Sequence, residues 1–224
     1  SDEQEMDLIA SGLADETGGV MTGLQMAANS LDSSFYAFGK VNLDTSIIHR
    51  WMSANLELHF FALDGSEVPI YIPGLVDSLT CDVALSGDTT YASPSGTQGN
   101  WGISLNTISS LYAKQFATDT VRISGTGVDS SQHVHHGNST MTIDSHSPFT
   151  INNVIVPLSG TNRYPASGTV DGSVAGTVSS GELTKDISIP YNAVFNDNGT
   201  VTVTLTDSGK QFTVNLETGE VTEL

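Results

Sequence analysis

Apolar residues recur in two different rhythms along this chain, and the change of rhythm divides it. Met6, Ile9, Leu13, Val20, Met21, Leu24, Ala28 and Leu31 are spaced mostly by three, four or seven, the stripe of an amphipathic helix. Thr17-Gly18-Gly19 interrupts the stripe. Adjacent glycines weaken a helix, so the spacing predicts either two short helices or one kinked helix within residues 1–34. That segment is expected to pack on the rest of the protein, with a lid or a membrane tether as its functional alternatives.

From Phe35 onward the period becomes two. Leu56–Leu63, Glu67–Ile72, Leu79–Leu85, Trp101–Leu105, Leu111–Phe116 and Val121–Val128 alternate apolar with polar residues, separated by Gly, Asp, Ser and Pro. The same rhythm continues through His133–His136, Thr140–Asp144, Phe149–Val156, Tyr164–Val178, Leu183–Ile189 and Val194–Phe195. Near the end, Val201, Val203 and Leu205 lead into Asp207-Ser-Gly-Lys210, and Phe212, Val214 and Leu216 return on one face. A further turn at Glu217-Thr-Gly-Glu220 adds Val221 as a last short strand. Strands this closely spaced, without helices between them, predict a mainly β protein. Residues 35–224 form a single antiparallel domain, as a sandwich, a barrel-like arrangement or a strongly curved sheet, with the N-terminal helical segment beside it.

Composition narrows the functional classes. Of 224 residues, 53 are Ser or Thr and 22 are Gly, against 7 Lys or Arg and 25 Asp or Glu. Thr suits a pleated surface and Gly its turns, so the hydroxyls describe the solvated faces of strands. The formal net charge of −18, with its few cations scattered singly, excludes a nucleic-acid partner and disfavours anionic membranes. No apolar run reaches the ~20 residues of a transmembrane helix.

Cys81 is the lone cysteine, so no intramolecular disulfide forms. Leu79, Cys81, Val83 and Leu85 share one strand face, which makes the thiol a buried structural group. The acidic start, Ser1-Asp-Glu-Gln-Glu-Met-Asp7, lacks the basic region and apolar core of a signal peptide. The corresponding expectation is that the chain is the mature part of an exported protein, with a lipidated Cys as a candidate tether upstream of Ser1. Tyr164-Pro-Ala-Ser-Gly-Thr169 and Gly209-Lys-Gln-Phe-Thr-Val-Asn-Leu-Glu-Thr-Gly219 resemble stretches of uncharacterised exported bacterial β-rich proteins and lipoproteins. The resemblance covers a small part of the chain and implies an extracytoplasmic location, whether secreted, periplasmic or cell-surface. It brings no activity and no binding residues.

The segment Asp129–His146 holds the densest candidate chemistry. If Gly137-Asn138 is a two-residue hairpin loop, His135 faces Thr140, His133 faces Thr142 and Ser131 faces Asp144. Alternation then projects His133, His135, Asp144 and His146 from one face and Val134, Met141 and Ile143 from the other. Such a set suits zinc or copper, given a second shell of hydrogen-bond partners. The plainer reading puts Val134, Met141 and Ile143 in the core and leaves the histidines in solvent. One slipped residue of register would separate the set.

Other motifs are explained by structure. Gly125-Thr-Gly127 lies between β-like stretches rather than opening a helix, which is not the context of a phosphate loop. The sequons Asn138-Ser-Thr140 and Asn198-Gly-Thr200 fall in expected turns. Phe35, Phe38, Phe60, Phe61 and Trp101 suit either the core or an apolar groove, and Phe60 and Phe61 must point to opposite faces of a regular strand. No nucleophile elbow is present, and no catalytic residue is assigned. Three functions remain. The first is a non-catalytic extracytoplasmic binding or structural module, whose partner is a protein, glycan or lipid. The second is a carrier of an apolar ligand in a cavity covered by residues 5–31. The third is a metal-dependent enzyme or metal-binding protein using the histidine cluster.

Overall fold

The computed structural model describes residues 2–32, 36–37, 40–41, 51–93, 99–117, 119–136, 140–159 and 163–224. Two helices open the chain, α1 (Asp2–Leu13) and α2 (Val20–Asn29), so the glycine pair marks a break rather than a kink. Gly18 adopts φ +76° and Gly19 lies against the Gly12 carbonyl, so only residues without a Cβ fit this corner. A small hairpin of β1 (Tyr36–Ala37) and β2 (Lys40–Val41) follows.

The remaining strands form one antiparallel sheet. They are β3 (Met52–Ala62), β4 (Glu67–Val68), β5 (Val76–Ala92), β6 (Asn100–Ala117), β7 (Thr120–Asp129), β8 (Gln132–His136), β9 (Thr140–Pro157), β10 (Ser167–Ser180), β11 (Leu183–Asn196), β12 (Thr200–Leu205), β13 (Gln211–Asn215) and β14 (Val221–Glu223). Along the main path the order is β14-β13-β12-β11-β10-β9-β7-β6-β5-β3-β4, a meander except that β4 and β5 flank β3 on opposite sides. Strands β7 and β8 are successive halves of one position between β6 and β9. Their pairings trace a small closed ring, and the other strands continue outside it.

The sheet curls around the helices. At the corner between α1 and α2, the Asp15 N–H donates to the Leu216 carbonyl at 2.8 Å, and Gly18 lies against Met52 and Leu105. Met52 and Leu216 belong to opposite ends of the strand order, so both ends reach the same helical corner. Residues of both helices and of the inward face of the sheet make one apolar core. Every member of the predicted helical stripe is buried. So are Asp7, Ser11, Thr22 and Asn29 on the polar side of those helices, because the sheet encloses them rather than covering one face.

Polar helix residues therefore need internal partners. The Asp7 carboxylate accepts from Ser93 Oγ at 2.5 Å and from Trp101 Nε1 at 3.2 Å. Thr17 Oγ1 donates to the Ser11 carbonyl at 2.5 Å and closes the end of α1. Phe60 faces inward and meets Tyr71 edge-on at 5.9 Å, while Phe61 is half-buried. Phe35 and Phe38 lie outside the described residues.

Candidate functional site

Pairing across the β8–β9 hairpin differs from the expected register by one residue. His136 pairs with Thr140, His135 with Met141, His133 with Ile143 and Gln132 with Asp144. The proposed turn at Gly137-Asn138 lies outside the described residues, but three residues, 137–139, separate the last paired positions instead of two. Because alternation has period two, this slip moves one strand's side chains to the opposite face relative to the other. His133 and His135 join Met141 and Ile143 on the inward face, and Asp144 and His146 remain exposed on the outer one. The four candidate ligands thus divide into two pairs. Among the described residues, no three His, Cys, Asp or Glu side chains converge to hold a metal ion.

Each half has its own partners. His133 is only 3% exposed, its Nδ1 lies 3.4 Å from the Tyr91 hydroxyl, and its ring meets Trp101 edge-on at 6.3 Å. Burial pushes this imidazole down to about 4, which keeps it neutral. The half-buried His135 packs on Trp101 at 5.0 Å between ring centroids, and its imidazole lies against Gly99, where a Cβ would collide with it. On the outer face, the Gln132 side chain donates to Asp144 at 2.8 Å, and Ser130 Oγ stands 3.2 Å from His146 Nδ1.

An inward carboxylate accompanies His133. Asp129 lies between Thr107 and Ser147 on the adjacent strands and accepts from the Ser131 hydroxyl. Burial pushes it up to about 6, against the opposing effect of its hydrogen bond with Ser131. Asp129, His133, Ser145 and Tyr191 line a void of about 20 Å³ closed by Leu8 and Ile9 of α1 and Val20 of α2. That volume suits one water molecule. Sequence reasoning passed over Asp129, although the alternation begun by Val121 and Ile123 continues inward through Gly125 and Gly127 to it.

A larger concavity lies elsewhere, a saddle of about 870 Å³ on the outer face of β6, β7, β9 and β10. Ile108 pairs with Val128 and Val128 with Pro148, which lays an apolar row across three strands. Ile108 is 61% exposed. Beside this row runs a polar one, in which Ser110, Thr126, Thr150, Asp171 and Asn192 pair in succession. Asp171 accepts from Asn152 at 2.8 Å and from Asn192 at 2.7 Å, so its carboxylate is fixed by two amides. Gly127 lies under the Phe149 ring, which places the Gly125-Thr-Gly127 motif in packing rather than phosphate binding. The Asn198 side chain accepts from the N–H and hydroxyl of Thr200, as a turn residue does.

Among the described residues, no helix is long and apolar enough to cross a membrane. No protein-family model matches the chain, and neither a curated protein nor a solved structure shows significant similarity to it.

Proposed function

We propose that the protein is a non-catalytic extracytoplasmic module that binds a partner, or serves as a structural element, through the outer face of its sheet. The observation that carries this reading is the saddle, where an exposed apolar row runs beside fixed hydroxyl, amide and carboxylate groups. Such a surface offers dry contact area and oriented hydrogen bonds without a reacting centre. The titratable pair Asp129 and His133 is buried under α1, away from the outer face. Among the described residues, the void under α1 is too small for an apolar ligand, and the cleft of about 370 Å³ beside Ser11, Thr17, Tyr91 and Ser93 has Glu16 and Glu220 in its lining, so neither favours the carrier reading. Export and lipidation upstream of Ser1 belong to the same proposal and rest on the acidic, hydroxyl-rich composition.

Hydrogen exchange in the presence of a cell-envelope fraction tests the binding surface. Protection concentrated on β6, β7 and β9 around Ile108, Val128 and Pro148, and lost in Val128→Arg, is the expected result. Protection elsewhere, or none, overturns it. Metabolic labelling of the full precursor with a radiolabelled fatty acid tests the tether, and an unlabelled protein removes it.

A further inference from the structure

The exposed apolar side chains are concentrated at one tip of the molecule. Leu63, Ile70, Ile72 and Leu75 are four of the nine exposed large apolar residues among the described ones, with Leu63 at 85% and Ile70 at 52%. Pro69 and Pro73 are exposed between them. The tip consists of the turn joining β3 to β4 and the connection from β4 to β5. From Val68 to Val76 it carries no charged residue. We propose that this tip inserts into the interfacial region of a zwitterionic lipid bilayer and docks the protein on it peripherally.

The tip is preformed. Gly65 (φ +83°) and Gly74 (φ +78°) make its two bends, and a Cβ at either would meet nothing within 4 Å, so both bends project into open space. The first bend is fixed by the Ala62 N–H donating to the Ser66 carbonyl at 2.9 Å and by Asp64 accepting from the Ser66 N–H and hydroxyl. The second is fixed by the N–H groups of Leu75 and Val76 donating to the Ile72 carbonyl at 3.1 and 3.0 Å. Tyr71 anchors the segment from below, with its hydroxyl donating to the Leu31 carbonyl at 3.1 Å and its ring against Phe60. On the side facing α2, Tyr71, Pro73 and Gly74 border a concavity of about 430 Å³ shared with Leu31 and Asp32, while Leu63, Ile70 and Leu75 lie outside its lining.

Three features select a bilayer as the partner of this surface. Unpaired backbone N–H groups are costly in a lipid phase. Here Pro69 and Pro73 have no N–H and Leu75 and Val76 have theirs paired, while the N–H groups of Ile70, Ile72 and Gly74 suit the hydrated headgroup layer and not the hydrocarbon core, which limits the tip to the interface. The exposed side chains present an area on the order of a few hundred Å², below the ~800 Å² per partner of a stable dimer, so a second copy is a poor occupant. The flanking charges are the acids Asp64, Glu67 and Asp77, with His59 bound to Glu67 at 2.8 Å and Lys114 paired to Asp77 at 3.2 Å. That rim and the net charge of −18 repel an anionic surface and leave zwitterionic headgroups as the compatible ones. This surface shares no residue with the saddle, so either proposal can fail without the other.

Flotation of the full chain with phosphatidylcholine vesicles tests it. The protein is expected to float, and the double variant Leu63→Asp/Ile70→Asp, which alters the two most exposed apolar positions of the tip, is expected to float at least about tenfold less with an unchanged thermal transition. Replacing part of the phosphatidylcholine by phosphatidylserine is expected to weaken flotation. An environment-sensitive dye on Ile70→Cys is expected to shift to the blue with vesicles, while the same dye on exposed Ser208→Cys does not shift. The proposal is overturned if the wild-type chain stays with the soluble fraction, if the double variant floats equally, or if sedimentation shows self-association through the tip in place of vesicle binding.

Discussion

Asp129 and His133 point to the same side of consecutive strands and line one small void, yet burial moves them in opposite directions, the acid up to about 6 and the base down to about 4. Their effects on stability have opposite signs. The unfolded chain protonates His133 near 6.5 and the folded protein only near 4, so this group removes stability as pH falls across that window. The folded protein protonates Asp129 near 6 and the unfolded chain near 3.8, so this group adds stability as pH falls across that one. In the wild type the two slopes largely cancel between pH 6 and pH 4.

Single variants uncover each slope. Asp129→Asn is expected to lose about 3 kcal/mol between pH 6.5 and pH 4, relative to wild type, and His133→Gln to gain about as much between pH 6 and pH 4. Urea midpoints over pH 4–8 measure both. Curves parallel to wild type would mean that the two groups are hydrated rather than sealed.

Gly12 and Gly19 meet at the helical corner but answer differently to a methyl group. At Gly12 a Cβ meets nothing within 4 Å, and Gly12→Ala is expected to stabilise by about 0.5–1 kcal/mol through better helix propensity. At Gly19 the φ of −69° suits any residue, but the Cβ collides with the Gly12 carbonyl. Gly19→Ala is therefore expected to cost about 1–3 kcal/mol, read as a lower thermal midpoint.

The Cys81 thiol is fully buried and pushed up to about 12, with desolvation the main cause and Asp82 adding to it. Its reaction with an aromatic disulfide reagent at pH 8 is expected to follow opening of the sheet, not exposure in the native state. A stoichiometric burst on mixing with folded protein would contradict this.

Division of the histidine set between two faces predicts indifference to metals. Calorimetric titration with zinc or copper is expected to give the same weak heats for wild type and His133→Ala. Tight binding lost in that variant would restore the cluster as a site.

Legibility of the sequence follows its chemistry. The β12–β13 hairpin was readable because Asp207-Ser-Gly-Lys210 is flanked by clean alternation on both sides, and Val201, Val203, Leu205, Phe212, Val214 and Leu216 are all buried. The helical stripe was readable for the same reason. Long strands were not. The predicted pairs Trp101–Leu105 with Leu111–Phe116, and Thr140–Asp144 with Phe149–Val156, are the single strands β6 and β9. Asn106, Ser109 and Pro148 resemble breaks in one dimension and sit on continuous ladders in three. Glu67–Ile72 shows the reverse error, because only Glu67–Val68 pairs and the rest forms the apolar tip. The histidine register turned on the separation between His136 and Thr140, which alternation alone does not determine.

Enclosure of α1 and α2 by a sheet made almost wholly of later residues has a consequence for folding order. Strands that pair with their sequence neighbours can accumulate hairpin by hairpin. The helices lead the chain, yet their all-round burial requires contacts with β3, β6 and the segment after β13, the last of these near the far terminus. They are thus positioned to be the final lock, holding the two ends of the curled sheet in place only after nearly the whole polypeptide is present.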